Sequence, residues 1–548
     1  MKNFLKNKET LIIILLILIG GFLRFYNLNW GAPFYFHPDE RNIASAASQL
    51  NFPLQMNPHF FAYGNFPIYL NYFSTIIINV IFSLKPITQA SFEESIIIGR
   101  FYSALLSLLI IPLIYITGKT LKDKKTGIFS AFLATFSIGL IQFAHFSTFE
   151  TWITFLSLVI FYLSLLFLNS GNKKLLLIIG IIFGLLLSTK ISGGFIFLYI
   201  LFLVLINNLK NRLKPLPLIK GLIVDSLIVF IPAIIILFLT SPFAFLDFGS
   251  FLSSLKYESS VALGTLPVFY TGEFFNSAPI IFQFTKIYPF LLNPALTIVF
   301  IFSFFYLILK GIKTKNPQYL ILNTCYLILF LPQAFLFAKW TRYMMPTLPF
   351  IYLIISLSIT NLLEVKINAI RIFFKIIFLI LGMSTIIFAF SYFKTAFMSG
   401  DARISAVNFA KQNIPSSALI VSEVYDLGIL PFNSFFPNIT LFNFYDLEQP
   451  DNNKLGELYS LFHKTDYIIL PSQRIMKTRL LNKQKFKNGN EFYSLLFNNK
   501  LGYRKVYETP CDIFCKITYL GNPVSSLEET ANVFDRPTVF IFKKMKND

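Results

Sequence analysis

Residues 11–40 read LIIILLILIGGFLRFYNLNWGAPFYFHPDE. The unbroken apolar run from Leu11 to Leu23 ends at Arg24, passes through an aromatic stretch and arrives at His37-Pro38-Asp39-Glu40. A run of this kind is a lipid-embedded helix, and acids that follow it so soon sit at the membrane surface. The same run also fits the core of a signal peptide, but no small-residue cleavage site follows it. It therefore reads as a retained first helix, with Arg24 snorkelling outward and Tyr26 and Trp30 in the interfacial belt.

The pattern set by this segment repeats. The 548 residues are 55% hydrophobic and 18% aromatic, and only 14% are charged, far more apolar than a soluble chain of this size. Eleven transmembrane helices are predicted, at 10–28, 96–118, 126–146, 151–169, 174–189, 193–208, 220–240, 287–309, 318–338, 346–363 and 372–394. Beyond 394 the pattern changes to short strand-like runs such as Ala418 to Val421, Tyr467 to Leu470 and Thr538 to Phe542, separated by polar helices and turns. The expected architecture is a polytopic α-helical membrane domain over 1–394 and a soluble extracytoplasmic α/β domain over 395–548.

The net charge of +20 divides unevenly: residues 1–394 hold 29 Lys and Arg against 12 Asp and Glu, and residues 395–548 hold 18 against 15. The excess belongs to the membrane half, which argues for contact with membrane lipids and against nucleic acid. With the N-terminus inside, 19 of the 29 basic residues, among them Lys2, Lys6, Lys119, Lys124, Lys173, Arg212, Lys214, Lys313 and Arg371, fall on the cytoplasmic side. Counting Phe66 to Leu84 as a further span would reverse every later loop, so it reads as a juxtamembrane or re-entrant helix in the first external loop. Cys325 lies in an apolar span and reads as an inert thiol. Cys511 and Cys515 either pair or stay free.

This topology places Asp39, Glu40 and Glu150 outside, in loops after the first and third spans, with Arg100, Lys190 and Arg342 at outer helix ends. Acids and cations at helix mouths suit transfer of a group from a lipid phosphate: a carboxylate takes the acceptor proton, and cations stabilise the departing phosphate. Plainer readings stand beside each. Pro38, Asp39, Glu40 and Glu150 are what helix starts look like; Arg342 before Tyr343 also fits an interfacial anchor. Lys190 either snorkels or grips an anion, and the small residues Ser192-Gly193-Gly194 favour the second. His37 could join the acids around a divalent cation, but a lone His beside Pro more often caps or lies at the surface, so no metal or other cofactor is expected.

The residues also resemble a known family. Arg24-Phe25-Tyr26-Asn27-Leu28 leading to His37-Pro38-Asp39-Glu40, then Gly99-Arg100-Phe101, Glu150, Thr189-Lys190-Ile191-Ser192-Gly193 and Arg342-Tyr343-Met344-Met345-Pro346, are similar in order to the signatures of the C superfamily of glycosyltransferases (GT-C), in its protein O-mannosyltransferase and aminoarabinose transferase branch. Phe534-Asp535-Arg536-Pro537-Thr538-Val539 looks like the tail of prokaryotic members with an extracytoplasmic domain. The resemblance implies inverting sugar transfer from a polyprenyl-phosphate donor to a protein, lipid or glycan acceptor, with Asp39 as base and Glu150 as second acid. It implies phosphate contacts for Arg100, Lys190 and Arg342. The chain departs from the family at Tyr63-Gly64-Asn65-Phe66-Pro67, where relatives often carry a basic residue and paired prolines, so a contact is expected to be lost there. It also departs at Glu150, where Asp is commoner.

Two other readings compete. A glycan polymerase or ligase shares the external acids and the lipid-phosphate chemistry. A transporter would place polar groups near the bilayer midplane within inverted repeats, whereas here they cluster at loop ends.

Overall fold

The computed structural model describes residues 8–83, 88–210, 215–448 and 452–545; Lys2, Lys6, Leu84, Arg212 and Lys214 lie outside the described residues. The first part is a helical bundle: α1 (Lys8–Phe25), α2 (Pro38–Ser48), α3 (Asn65–Ser83), α4 (Phe92–Leu121), α5 (Lys124–Thr135), α6 (Ile138–Gln142), α7 (Glu150–Ser170), α8 (Lys174–Thr189), α9 (Ile196–Lys210) and α10 (Pro215–Thr240). Helices Pro294–Thr314, Pro317–Ala334, Leu348–Leu362 and Asn368–Phe393 complete it. Among the described residues eight helices are long and apolar enough to cross a membrane, or nine if the bent pair Lys124–Thr135 and Ile138–His145 is one span. Only 17% of the apolar window is buried in Pro215–Thr240 and in Asn368–Met398, leaving outer faces suited to lipid tails. The chain is a polytopic membrane protein.

The bundle has two ends of different character. At one, Lys119 and Lys124 pair with Glu9, Lys122 with Glu364 and Lys173 with Asp225. At the other lie the end of α1, the starts of α4 and α7 and the ends of α8 and α10. α3 meets the length and composition test for a span, yet both its ends are tied to this second face. The Asn65 N–H donates to Ser241 just past α10, Gly64 N–H donates to the Thr189 carbonyl at the end of α8, and Asn79 donates to Glu94 in the first turn of α4. The helix therefore lies across the bundle's end, as a juxtamembrane element does. Gly64 makes that approach possible, because a Cβ there would stand 1.9 Å from the Ser188 carbonyl oxygen.

Four sequence expectations are corrected. Arg24 does not snorkel: its side chain is fully buried and donates to Ser107 Oγ (2.9 Å), Ala134 O (2.8 Å), Thr135 O (3.2 Å) and Gly20 O (3.1 Å). The predicted span 126–146 is broken between α5 and α6 by a bend of 55°, and a break inside lipid frees carbonyls that need donors; Arg24 supplies them. Trp30 is not a belt residue either, since it is buried and its Nε1–H donates to His145 O. The predicted start at 287 moves to Pro294, where Asn293 caps the helix through Leu296 N and Pro294 occupies its first turn.

The C-terminal region builds a five-stranded sheet from β1 (Ile420–Glu423), β2 (Ile439–Phe442), β3 (Tyr467–Leu470), β4 (Tyr503–Glu508) and β5 (Phe540–Lys544), in the order β2-β1-β3-β5-β4. β1 pairs parallel with β2 and β3, while β5 pairs antiparallel with β3 and β4. Separate apolar cores cover its two faces. The segment from Cys511 to Phe534 leaves the sheet to pack with the bundle, where Cys515, Tyr519, Leu527 and Phe534 join the helical core. A disulfide joins Cys511 and Cys515; Cys325 is buried and free.

Candidate active site

Pro38 opens α2, so Asp39 and Glu40 occupy its first turn, where the helix dipole favours negative charge. Being consecutive on a helix, they point about 100° apart and meet different partners. Glu40 is sealed in the interior: Arg100 Nε and Nη2 donate to its two oxygens at 2.8 and 2.7 Å, and Ser147 N–H donates to Oε1 at 2.6 Å. Arg100 spends its Nη1 on the carbonyls of Leu28 and Trp30 (2.7 and 2.8 Å), with its guanidinium 4.3 Å from the Trp30 ring centre. The preceding Gly99 lets α4 approach the Ser147 loop, because a Cβ there would lie 1.8 Å from Ser147 Oγ. Glu40 and Arg100 thus staple α2, α4 and the loop leading to α7.

Asp39 faces the opening and its side chain keeps 22% exposure. It pairs with Arg342 Nη1, and the Tyr63 hydroxyl, 3.5 Å from that nitrogen, also reaches Asp39. Burial alone would raise the Asp39 pKa, but Arg342 and, less strongly, His37 and Lys190 outweigh it and hold the carboxyl at about 2. His37 is buried between the rings of Phe534 and Phe146, with centroids 4.2 and 4.8 Å away, and burial lowers its pKa. The 3-10 turn Thr341–Thr347 carries Arg342, and Glu528 fixes its start by accepting from Thr341 N (3.1 Å) and Oγ1 (2.6 Å).

Lys190 sits where α8 stops, its Nζ 3.4 Å from Glu150 Oε1 and 4.8 Å from the centre of the Tyr63 ring. Glu150, at the start of α7, is buried, and its Oε2 has no hydrogen-bond partner. Glu150, Lys190, Arg342 and Tyr343 line one cleft of about 420 Å³, whose remaining wall includes Ile153, Phe195, Leu329 and Pro346. Two cations and an unsatisfied carboxylate oxygen thus edge an apolar slot that leads down between membrane helices, the shape and charge that an anion on a hydrocarbon tail requires.

The structure brings together Asp39, Glu150, Lys190 and Arg342 of the residues singled out in the sequence. It separates Glu40 and Arg100 from them: both are fully buried and their hydrogen-bonding groups are taken up by each other and by backbone. The residues expected as a catalytic acid and a phosphate contact, Glu40 and Arg100, thus face each other in this structure rather than the cleft. Tyr63 runs the other way. It lies in the segment where a contact is expected to be lost, and its hydroxyl and ring touch the central charges. Among the described residues no group of three His, Cys, Asp or Glu converges on a point that could hold a metal ion.

Residues 85–236 match the family model described as dolichyl-phosphate-mannose-protein mannosyltransferase. The match takes in Gly99-Arg100-Phe101, Glu150 and Lys190 and stops short of Asp39 and Arg342. No curated protein matches the chain. The whole architecture superposes on the apo oligosaccharyltransferase of Archaeoglobus fulgidus with a TM-score of 0.56, 14% identity, and coverage of 98% of this chain and 88% of that one. This is the GT-C glycosyltransferase fold. The same GT-C scaffold appears in the Archaeoglobus fulgidus oligosaccharyltransferase AglB in complex with an inhibitory peptide and a dolichol-phosphate, at a TM-score of 0.54 and 13% identity over 99% and 89% of the two chains. ArnT of Cupriavidus metallidurans, bound to undecaprenyl phosphate, aligns at a TM-score of 0.46 and 12% identity over 84% and 92%. At such identities the likeness is one of fold, and the chemistry has to come from the cleft.

Proposed function

We propose that this protein transfers a sugar from a polyprenyl-phosphate donor to an acceptor, with inversion, at the extracytoplasmic face of the cell membrane. The observation that carries the reading is that Glu150, Lys190 and Arg342, drawn from distant parts of the chain, line one largely apolar cleft, with Asp39 paired to Arg342 at its edge. The matching family model and the dolichol-phosphate bound to AglB agree with a lipid-phosphate donor. The basic face of the bundle is placed in the cytoplasm by the positive-inside rule. The eleven crossings expected from the sequence, with α3 lying across the outer end, then put the cleft and the 395–548 domain outside, where a Cys511–Cys515 disulfide is at home.

In this reading the donor phosphate binds Lys190 and Arg342 and competes with Asp39 for the guanidinium. Freed from Arg342, the Asp39 carboxylate becomes more basic and takes the proton of an acceptor hydroxyl or amine. The acceptor atom bonds to the anomeric carbon on the face opposite the phosphate. The carbon–oxygen bond to phosphate breaks, and its electron pair leaves with the polyprenyl phosphate, whose charge the two cations stabilise. Glu150 holds Lys190 in place. The test is transfer by purified protein from labelled polyprenyl-phosphate sugars and lipid-linked glycans to extracted acceptors, comparing wild type with Asp39→Asn. An undiminished rate in the variant sinks the base assignment, and transfer of whole glycans alone favours the ligase reading.

A further inference from the structure

On the other side of the first turn of α2 a second crevice, of about 320 Å³, opens between the bundle and the sheet. Phe36 and Pro38 line it from the bundle, Tyr425, Asp426 and Arg474 from the sheet region, and Phe534 from the closing segment. It shares no lining residue with the first cleft. The chain enters its walls just after β1 and just after β3. Because β1 is flanked by β2 on one side and β3 on the other, all parallel, the connections diverge there, and open α/β sheets bind ligands at that divergence.

The crevice holds an underused cation. Arg474 has one ion-pair partner, Glu529 at 3.5 Å, and its Nε makes no hydrogen bond. Aromatic rings hold it instead, with the guanidinium 4.9 Å from Phe269 and 5.8 Å from Phe534. Burial pushes the Glu529 carboxyl up to about 8, overriding the opposing pull of Arg474, which weakens it as a counter-ion. Asp426 is occupied in holding its own loop, accepting from Gly428 N–H and the Ser472 hydroxyl. Beside it Tyr425 adopts a φ of 66° with its side chain 59% exposed. A bulky residue in that left-handed conformation is strained, and such strain concentrates where ligands are held.

We propose that this crevice seats the acceptor by an anionic sugar, its phosphate or carboxylate on Arg474 and its ring against Tyr425. The proposal rests on the glycosyltransferase reading and adds the side from which the second substrate arrives. Pro38 belongs to the crevice while its neighbour Asp39 is paired with Arg342 of the donor cleft. A hydroxyl reaching past Pro38 therefore meets Asp39 from the side away from the lipid phosphate, the approach that inversion demands.

The test is equilibrium dialysis of the full-length protein in detergent with glucose 6-phosphate, glucuronate and glucose, and in parallel with labelled polyprenyl phosphate. At least one anionic sugar should bind about tenfold or more tightly than glucose, and Arg474→Gln should remove that advantage. Tyr425→Ala, at a largely exposed residue, should weaken the same sugar about threefold or more. Polyprenyl phosphate binding should be unchanged in both variants and fall in Lys190→Ala. Anionic sugars binding no better than glucose, or indifferent to both substitutions, overturn the crevice. Wild type that binds the anionic sugar but no polyprenyl phosphate overturns the donor reading instead.

Discussion

The ion pairs Glu40–Arg100 and Asp39–Arg342 begin one residue apart and differ in what surrounds them. The first is wholly enclosed, its donors matched to its acceptors and to backbone carbonyls. The second keeps 22% exposure on both partners and stands at a cleft whose neighbouring carboxylate, Glu150, has an oxygen to spare. A saturated pair fixes geometry, because breaking it strands a buried charge. A pair with an accessible side and another cation close by can exchange partners, and that exchange is what the proposed chemistry needs.

The comparison breaks most visibly at its closed side. Arg100→Ala should cost about 3–5 kcal/mol, the loss expected when one partner of a buried ion pair is removed, and show as a large drop in thermal unfolding temperature in detergent. A variant that unfolds near the wild-type temperature would mean that the staple holds nothing. At the open side Asp39→Asn should reduce transfer by about 10²–10⁴-fold, the span of a lost general base, while the unfolding temperature stays close to wild type. Arg342→Gln sharpens the contrast by pH. With the cation present Asp39 titrates at about 2, below its usual 3.8, so the pair's contribution is full above 3.8 and is lost as pH falls through 2. Without the cation the Asp39 pKa rises, so the acid limb of the residual pH–rate profile should move upward; a limb that stays put would detach Arg342 from the base. The smallest effect is expected from Tyr63→Phe, which removes one hydroxyl contact worth about 1 kcal/mol and should slow transfer several-fold at most.

Much of this molecule was legible in its sequence because lipid imposes strong local rules. Apolar runs, basic loops and the reading of the segment from Phe66 as a juxtamembrane or re-entrant element of the first external loop follow from hydropathy and charge alone, and the strand runs around Val421, Ile468 and Ile541 from alternation and turn residues. What remained hidden is pairing across long stretches of chain. Nothing local says that Glu40 meets Arg100 while Asp39 crosses 303 positions to meet Arg342, so four acids and cations that looked equivalent split into enclosed and open sets. Tyr63 carried no residue-type signal; its role comes from Gly64, whose missing side chain lets the segment reach α8. Arg24 misled for the same reason: three of its four partners lie 83 to 111 residues away.

That distance bears on how the protein is made. α1 carries a guanidinium whose distant acceptors, Ser107, Ala134 and Thr135, are synthesised much later, and a charge in hydrocarbon is costly until it finds them. Until they arrive, α1 can keep that charge solvated only by snorkelling toward the interface, so its final seat is made when the bent pair α5 and α6 docks against it, and a ribosome-bound intermediate halted before residue 134 should leave Arg24 more accessible than the finished protein does.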